Sequence, residues 1–256
     1  MKSQIEQLIN VALASVNPFN AIQQHLQLNG EDLVIGDLVI NLTNKDIRCV
    51  AVGKASVPMA RSIHKLLGNR ISQGLVVTKY DHLNDAKFPS NWEVLESAHP
   101  VPDDRSLQAG DRVWELLNGC TEQTLVLACI SGGASALVVA PHNWHTLNKL
   151  LTNPPTPEIS DRTQQLIKTA LADRSIDLST VDLQENISLS ALQAIGTALL
   201  GSGLSIEKIN AVRSQIDRLK GGGLVERVGN GKVIGLILSD VIGDPIDSIE
   251  IGRAHV

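Results

Sequence analysis

Apolar runs alternate along the chain with stretches of helical spacing. Five short apolar runs, typical of strands buried on both faces, occur at 47–52, 74–78, 92–95, 125–130 and 233–238. Amphipathic stretches between them predict helices at about 56–67 and 104–117. Apolar strands that are separated by helices predict a parallel sheet that is covered on both faces. We therefore predict an α/β fold with a doubly wound, mostly parallel sheet.

Further elements are predicted on either side of these runs. Residues 4–16 have helical spacing that Asn17-Pro18 ends, and residues 33–42 are predicted to be extended with a turn at Gly36-Asp37. Late in the chain, two more helices are predicted: one capped by Ser188 or Ser190, and one over about 206–219.

Residues 143–186 have a different character, and we interpret them as an insertion after Pro141. Prolines between Asn153 and Pro157 interrupt regular structure, and one helix is predicted at about 161–172. We expect this segment to pack outside the main core, to bury little apolar surface and to tolerate shortening. His142 and His145 have no third ligand nearby in sequence, so an exposed loop is favoured over a metal site.

Composition and charge narrow the class of protein. Hydrophobic residues make up 43% and aromatic residues 2%, which predicts an aliphatic core. The net charge of -5 and the lack of basic runs argue against a nucleic-acid-binding surface. The three cysteines have no CxxC spacing, which argues against a disulfide scaffold or a cysteine zinc site. Without a signal-peptide pattern or a membrane-length apolar run, a soluble, cytoplasmic protein is expected.

Ligands of doubly wound sheets bind at the carboxyl ends of the strands, so the turns there are the candidates for chemistry. Gly53-Lys54-Ala55 follows the first strand of the predicted parallel sheet. It is not a Walker A loop, because Arg48 stands where a glycine is required and Ala55 where a serine or threonine is required. Lys54 is either an anion-binding residue or an exposed lysine at a helix start, which the helix dipole disfavours.

Two further turns offer polar groups. Ser131 to Ala136 (SGGASA) is made of small residues whose N–H groups could cradle an anion, or it is simply a tight strand-to-helix turn. It lacks the frame of a nucleophile elbow. In the His99 to Asp103 segment, Asp103 is a natural N-cap, and His99 either contacts a ligand or holds the loop backbone.

The last candidates lie near the end of the chain. Asn210 and Arg213 share a helix face, and Arg213 with Lys220 could bind a carboxylate or a phosphate. Asp240 and Asp244 follow the last strand and suit Mg²⁺, although Asp240 could instead cap a turn.

In this order the segments resemble the glycerate 2-kinase family of the MOFRL type. The matching segments are Val52-Gly53-Lys54-Ala55 with Met59-Ala60, His99 to Asp103, Ser131 to Leu137, Ser202-Gly203 with Ile206 to Arg213, Lys220-Gly221-Gly222, and Ser239 to Asp244. The resemblance implies ATP-dependent phosphorylation of D-glycerate to 2-phosphoglycerate with Mg²⁺. It also implies a Rossmann-like first domain and a smaller second domain, with the site in the cleft between them.

The resemblance and the residues together suggest roles for each position. Lys54 and Arg213 are expected to be catalytic, and His99, Asn210 and Lys220 to bind the substrate. Asp240 and Asp244 are expected to bind the metal. The nucleotide phosphates would contact Gly53, Ser131, Gly132, Gly133, Ala134 and Ser135. No nucleic-acid or membrane partner is expected. The oligomeric state is left open between monomer and homodimer, as is the division of contacts between glycerate and ATP.

Three departures from the family pattern matter. One is the insertion after Pro141, which is longer than the short connection usual in the family. Ala134 replaces the third glycine of the usual Ser-Gly-Gly-Gly-Ser turn, a mild change unless positive φ is needed there. After Gly243-Asp244 the family continues into its second domain, whereas this chain ends at Val256. Residues 1–249 are therefore expected to be the first domain of a truncated kinase with little activity alone. Residues 250–256 match the translation of a common sequencing adapter and are expected to be a non-native tail.

Two alternative functions stay open. One is an oxidoreductase of the hydroxypyruvate reductase type, which needs a nicotinamide site, although no G-x-G-x-x-G follows a strand. The other is a non-catalytic module that binds a nucleotide or another anion.

Overall fold

A five-stranded parallel sheet forms the centre of the molecule. The computed structural model describes residues 4–7, 11, 16–155 and 159–239. Its strands are β1 (Leu26–Asn29), β2 (Asp32–Ile35), β3 (Leu38–Asn41), β4 (Asp46–Val52), β5 (Ile71–Lys79), β6 (Trp92–Ser97), β7 (Thr124–Ser131) and β8 (Lys232–Leu238). β4 to β8 are the five parallel strands, and β1 to β3 form a separate antiparallel sheet.

The order of the parallel strands is β6-β5-β4-β7-β8, so the chain changes direction across the sheet between β4 and β7. Val52 at the end of β4 is paired with Val77 of β5 on one side and with Ile130 of β7 on the other. A crevice opens beyond the carboxyl ends of the strands at such a reversal, and ligands of doubly wound folds bind there. The predicted doubly wound α/β fold is confirmed.

Helices cover both faces of this sheet. In chain order, the helices within the described residues are α1 (Pro18–His25), α2 (Ser56–Leu67), α3 (Asp104–Leu116), α4 (Ala134–Leu137), α5 (Trp144–Thr152), α6 (Asp161–Ala172), α7 (Leu189–Gly201), α8 (Ile206–Ile216) and α9 (Gly223–Val228), of which α5 to α8 pack away from the sheet. On one face, Met59 and Ile63 of α2 are buried against β4 and β7. On the other, Val113 of α3 and Leu224 of α9 are buried with apolar residues of the same strands.

The predicted extended segment at 33–42 is confirmed as the β2–β3 hairpin. Gly36 has a φ of 56°, a left-handed conformation that favours glycine in a tight turn. Of the helix predicted over 4–16, residues 4–7 and 11 are helical, and the others lie outside the described residues.

A third apolar core lies away from the sheet and joins α5 to α8, which we call the helical unit. Trp144, Leu147, Ile167 and Leu171 are buried in it with residues of α7 and α8. The expectation that 143–186 buries little apolar surface is therefore wrong, although its core is separate from those of the sheet. The expected exposed loop at His142–His145 is wrong in part as well, because Trp144 is buried and begins α5.

The end of α8 departs from the prediction. The helix ends at Ile216 instead of residue 219, because Asp217 is extended (φ -134°, ψ 126°) and pairs with Pro141 in an isolated antiparallel bridge. The glycines that follow introduce α9 at Gly223, a helix that the sequence pattern did not predict. Within the described residues, no helix is long and apolar enough to cross a membrane.

Candidate functional site

The turns after β4 and β7 are hydrogen-bonded to each other. The Lys54 backbone N–H donates to the Gly132 carbonyl oxygen (3.0 Å), and the Ala55 N–H donates to Ser131 Oγ (3.0 Å). Because β4 and β7 are neighbours, both turns lie at the point where the strand order reverses. Two of the turns that the sequence analysis identified as candidates for chemistry are therefore in direct contact at the carboxyl ends of neighbouring strands.

Gly53 and Gly133 make this close approach feasible. Gly53 has a φ of 126°, and a Cβ atom there would lie 2.1 Å from Ser131 Oγ. Gly133 has a φ of 90°, and a Cβ atom there would lie 2.9 Å from His99 Cδ2 and 3.3 Å from Lys54 Cε. Any side chain at Gly133 would therefore fill the space between the Lys54 and His99 side chains.

Lys54 contributes an accessible cation beside this glycine cradle. Its side chain is exposed, and it makes no ion pair with any residue that the structure describes. A lysine with an unpaired ammonium next to open backbone suits an anionic group of a ligand. Ala134 fits the same turn, because Gly133 has the positive φ and Ala134 begins α4 in ordinary helical conformation.

Asp103 organises the loop that carries His99. Its carboxylate accepts hydrogen bonds from Ser106 N–H (3.0 Å) as the N-cap of α3, from Ala98 N–H (3.4 Å), and from the Tyr80 hydroxyl (2.6 Å). Burial raises the pKa of Asp103, but these hydrogen bonds outweigh it, so the pKa lies below its ordinary value of 3.8. The hydrogen bond between the Tyr80 hydroxyl and the Asp103 carboxylate also raises the pKa of Tyr80. The His99–Pro100 peptide bond in this loop is cis.

A small pocket joins the His99 loop, the 131–136 turn and the helical unit. It has a volume of about 60 Å³ and brings together three of the predicted site residues, Ser135, Arg213 and Lys220, with Pro100 and Asp217. Asn210 is half-buried on α8, one turn before Arg213, and does not line this pocket. Lys54 and His99 are not among its lining residues either.

Asp217 is a charged residue of this pocket that the sequence analysis missed. It is buried with Lys220, and the Lys220 ammonium donates to its carboxylate. The same carboxylate accepts hydrogen bonds from Ala140 N–H (3.1 Å) and Leu219 N–H (3.0 Å). Lys220 therefore presents a largely neutralised charge to the pocket, whereas Arg213 makes no ion pair with a described residue. The three-residue spacing of Asp217 and Lys220 was a visible signal for this pair.

Both of the expected metal ligands lie outside the described residues. β8 ends at Leu238 and Ser239 follows it beside the end of β7, but Asp240 and Asp244 lie outside the described residues. In the described part of the chain, no three His, Cys, Asp or Glu side chains are grouped so that they could hold a metal ion.

Comparisons with known proteins agree with the resemblance seen in the sequence. The chain is 32% identical over 255 residues to the D-glycerate 2-kinase of Thermotoga maritima, covering 99% of this chain and 47% of that protein. The crystal structure of a glycerate kinase from the same organism superposes with a TM-score of 0.68 at 30% identity, over 98% of this chain and 48% of that one. A "Putative hydroxypyruvate reductase" of Agrobacterium vitis is 32% identical over 207 residues, covering 80% of this chain and 37% of that protein.

The chain thus spans less than half the length of these relatives, and its resemblance to glycerate 2-kinases is confirmed. The profile of one family, "Domain of unknown function (DUF4147)", matches residues 4–154 and 179–254 and leaves out 155–178, a narrower segment than the insertion predicted at 143–186. Because this profile covers most of the chain, the protein belongs to the DUF4147 family.

Proposed function

We propose that this chain forms part of a kinase that transfers a phosphoryl group from ATP to the 2-hydroxyl of D-glycerate. The similarity to proteins named glycerate 2-kinase supports the reaction class. The observation that carries the proposal is the convergence of Lys54, His99 and Gly133 at the crevice where the strand order reverses.

The residues in this crevice suit phosphoryl transfer. Such a reaction depends on positioning and on neutralising charge more than on covalent catalysis. Lys54 would stabilise charge on a phosphoryl group in the cradle at Gly133, and His99 would contact the ligand from the other side. Arg213 would bind the carboxylate of glycerate from α8, with Asn210 and Lys220 nearby as further substrate-binding groups.

The fit to ATP phosphates rests on the glycine cradle. Gly53, Ser131, Gly132, Gly133, Ala134 and Ser135 would place backbone and hydroxyl groups around the phosphates. The proposed Mg²⁺ would neutralise phosphate charge when bound. The carboxylates of Asp240 and Asp244 are its proposed ligands.

Substitution of Lys54 tests the proposal. The test uses a protein that contains this chain and has the full length of its relatives. In that protein, Lys54→Ala should lower the rate of D-glycerate phosphorylation roughly 10²–10³-fold, because a preorganised charge donor is lost. Lys54→Arg should not restore the rate fully, because the planar guanidinium cannot occupy the same point. Lys149→Ala, at an exposed position of α5, removes the same charge elsewhere and is the matched control. Near-normal activity of Lys54→Ala would remove Lys54 from the catalytic set.

Two further measurements separate the alternatives. We predict that the 256-residue chain alone shows little or no phosphorylation of D-glycerate. Without the second domain of the family on the other side of the cleft, water would screen the charge of Lys54. NADH binding, followed by its fluorescence, tests the reductase hypothesis. Tight NADH binding together with reduction of hydroxypyruvate would replace the kinase by an oxidoreductase.

A further inference from the structure

Trp114, near the end of α3, is in contact with two guanidinium groups. The Cζ atom of Arg218 lies 4.6 Å from the centre of the indole ring, and that of Arg227 lies 4.4 Å from it. Arg227 Nε also donates to the Trp114 carbonyl oxygen (3.2 Å). Contact with the same ring helps to hold each cation in place.

No negatively charged group among the described residues is paired with these two cations. Neither guanidinium forms an ion pair with a described residue. Arg218 Nε is buried and has no hydrogen-bond partner there. A buried donor without an acceptor is unfavourable by itself, and neither positive charge is paired with a described carboxylate. An acceptor with negative charge would relieve both.

The space in front of the two arginines is a pocket of about 450 Å³, which we call the Trp114 pocket. Its charged lining residues are Arg218, Lys220, Arg227, Asp217 and Glu226. Because Asp217 is paired with Lys220, and Glu226 is exposed and unpaired with any described residue, the two arginines dominate the interior. His142 lines the same pocket, and burial lowers its pKa. The charges of Asp217 and Glu226 raise this pKa and the charge of Arg218 lowers it, and the net shift is downward.

We propose that the Trp114 pocket binds the phosphoryl group of a small molecule, held by Arg218 and Arg227. Guanidinium groups form paired, charge-assisted hydrogen bonds with phosphate oxygens, and Arg218 Nε is an unused donor of this kind. The volume exceeds that of a phosphate ion and falls in the range of small-molecule sites, so it admits an organic remainder. The site is additional to the crevice at Lys54 and does not depend on the proposed kinase activity.

Titration calorimetry on the 256-residue chain tests the proposal. Inorganic phosphate and glycerol 2-phosphate are the probes, and Lys54→Ala is the background so that binding at the crevice does not contribute. Arg218→Gln and Arg227→Gln should each weaken the binding of the probe roughly ten- to hundredfold. Arg61→Gln, an exposed arginine on α2, is the matched control and should change nothing. Tighter binding of the ester than of free phosphate would identify an organic phosphate as the ligand, and the reverse would identify the ion.

Two other variants distinguish binding in the Trp114 pocket from a purely structural role of its residues. Glu226→Gln should strengthen binding several-fold, because it removes a negative charge from the rim. Trp114→Phe should keep the binding but abolish the change in indole fluorescence that the probe causes in the parent.

The outcomes that would overturn the proposal are clear. One is the absence of phosphate binding in the Lys54→Ala chain. Another is binding that survives both Arg218→Gln and Arg227→Gln while the circular dichroism spectra stay unchanged. If Arg218→Gln fails to fold, the Arg227→Gln and Glu226→Gln variants decide, since they must move the affinity in opposite directions.

Discussion

Asp103 shows how one carboxylate can hold a candidate site together. It caps α3, closes the loop that carries His99, and anchors the Tyr80 hydroxyl on the neighbouring strand end. The three donors come from three separate parts of the chain. The position of His99 next to Gly133 therefore depends on an aspartate that has no contact with a ligand in our proposal.

The lowered pKa of Asp103 leads to a pH prediction. A carboxyl group whose folded pKa is depressed stabilises the protein fully above its unfolded value, here near 3.8, and this stability is lost as the pH falls through the folded pKa. We expect the difference in unfolding free energy between the parent and Asp103→Asn to be largest near pH 6 and to shrink below pH about 3.8. Urea denaturation at a series of pH values measures it.

Asparagine is a good N-cap, so this variant keeps the cap and removes the charge. Asp111→Asn, at an exposed position of the same helix, is the control. A difference between parent and Asp103→Asn that is independent of pH would contradict the prediction.

The α6 helix is well packed although the family profile does not match its residues. It lies in the segment 155–178 that the family profile does not match, yet Ile167 and Leu171 are fully buried in the core of the helical unit. Its twelve residues begin at a Ser160 cap and make extensive contact with α7. The expected tolerance to shortening stays a prediction, but the apolar contacts now favour a loss of stability.

A single truncation in α6 measures this. Leu171→Ala should lower the free energy of unfolding by about 2–5 kcal/mol, because it leaves a cavity in a packed core. Gln165→Ala, on the exposed side of the same helix, should change it by no more than about 0.5 kcal/mol. Thermal or urea denaturation of the two variants gives the comparison. Equal stability of Leu171→Ala and the parent would show that α6 adds little to the fold.

At the scale of the whole molecule, Asp217 links the helical unit to the sheet. Its backbone pairs with Pro141, and its carboxylate accepts from Ala140 N–H and from Lys220. Asp217→Asn would leave the Lys220 ammonium buried without its counter-charge, and we expect it to lower the free energy of unfolding by about 3–5 kcal/mol. Chemical denaturation measures the loss.

The double variant Asp217→Asn/Lys220→Met removes both charges. It should be less destabilised than Asp217→Asn alone, since no unpaired charge is then buried. A double variant that is as unstable as the sum of its single variants would show that the two side chains do not interact.

The sheet could be predicted from the sequence because its strands carry uninterrupted apolar runs and its helices have clear spacing. The meeting of Lys54 with Gly132 followed from the same reasoning, since parallel strands end at one edge. The α5 helix and the apolar core of the helical unit were harder to predict. The helical spacing of Trp144, Leu147 and Leu151 is short and is followed directly by the prolines near residue 154, which are typical of irregular structure. The Trp114 pocket depends on contacts between distant segments, which no local pattern reveals, whereas the spacing of Asp217 and Lys220 was a local signal for their pairing.

Residues 140–142 and 216–218, which lead into and out of the helical unit, are paired with each other. Ala140 N–H donates to Asp217 Oδ2, Arg218 N–H to the Ala140 carbonyl (2.7 Å) and His142 N–H to the Ile216 carbonyl (3.0 Å). These amides are shielded from deuterium while residues 140–142 and 216–218 stay paired. If these two segments separate without global unfolding, the three amides should exchange together and sooner than amides in β4 and β7. Their common exchange rate would thus report how often the molecule opens along this seam without unfolding.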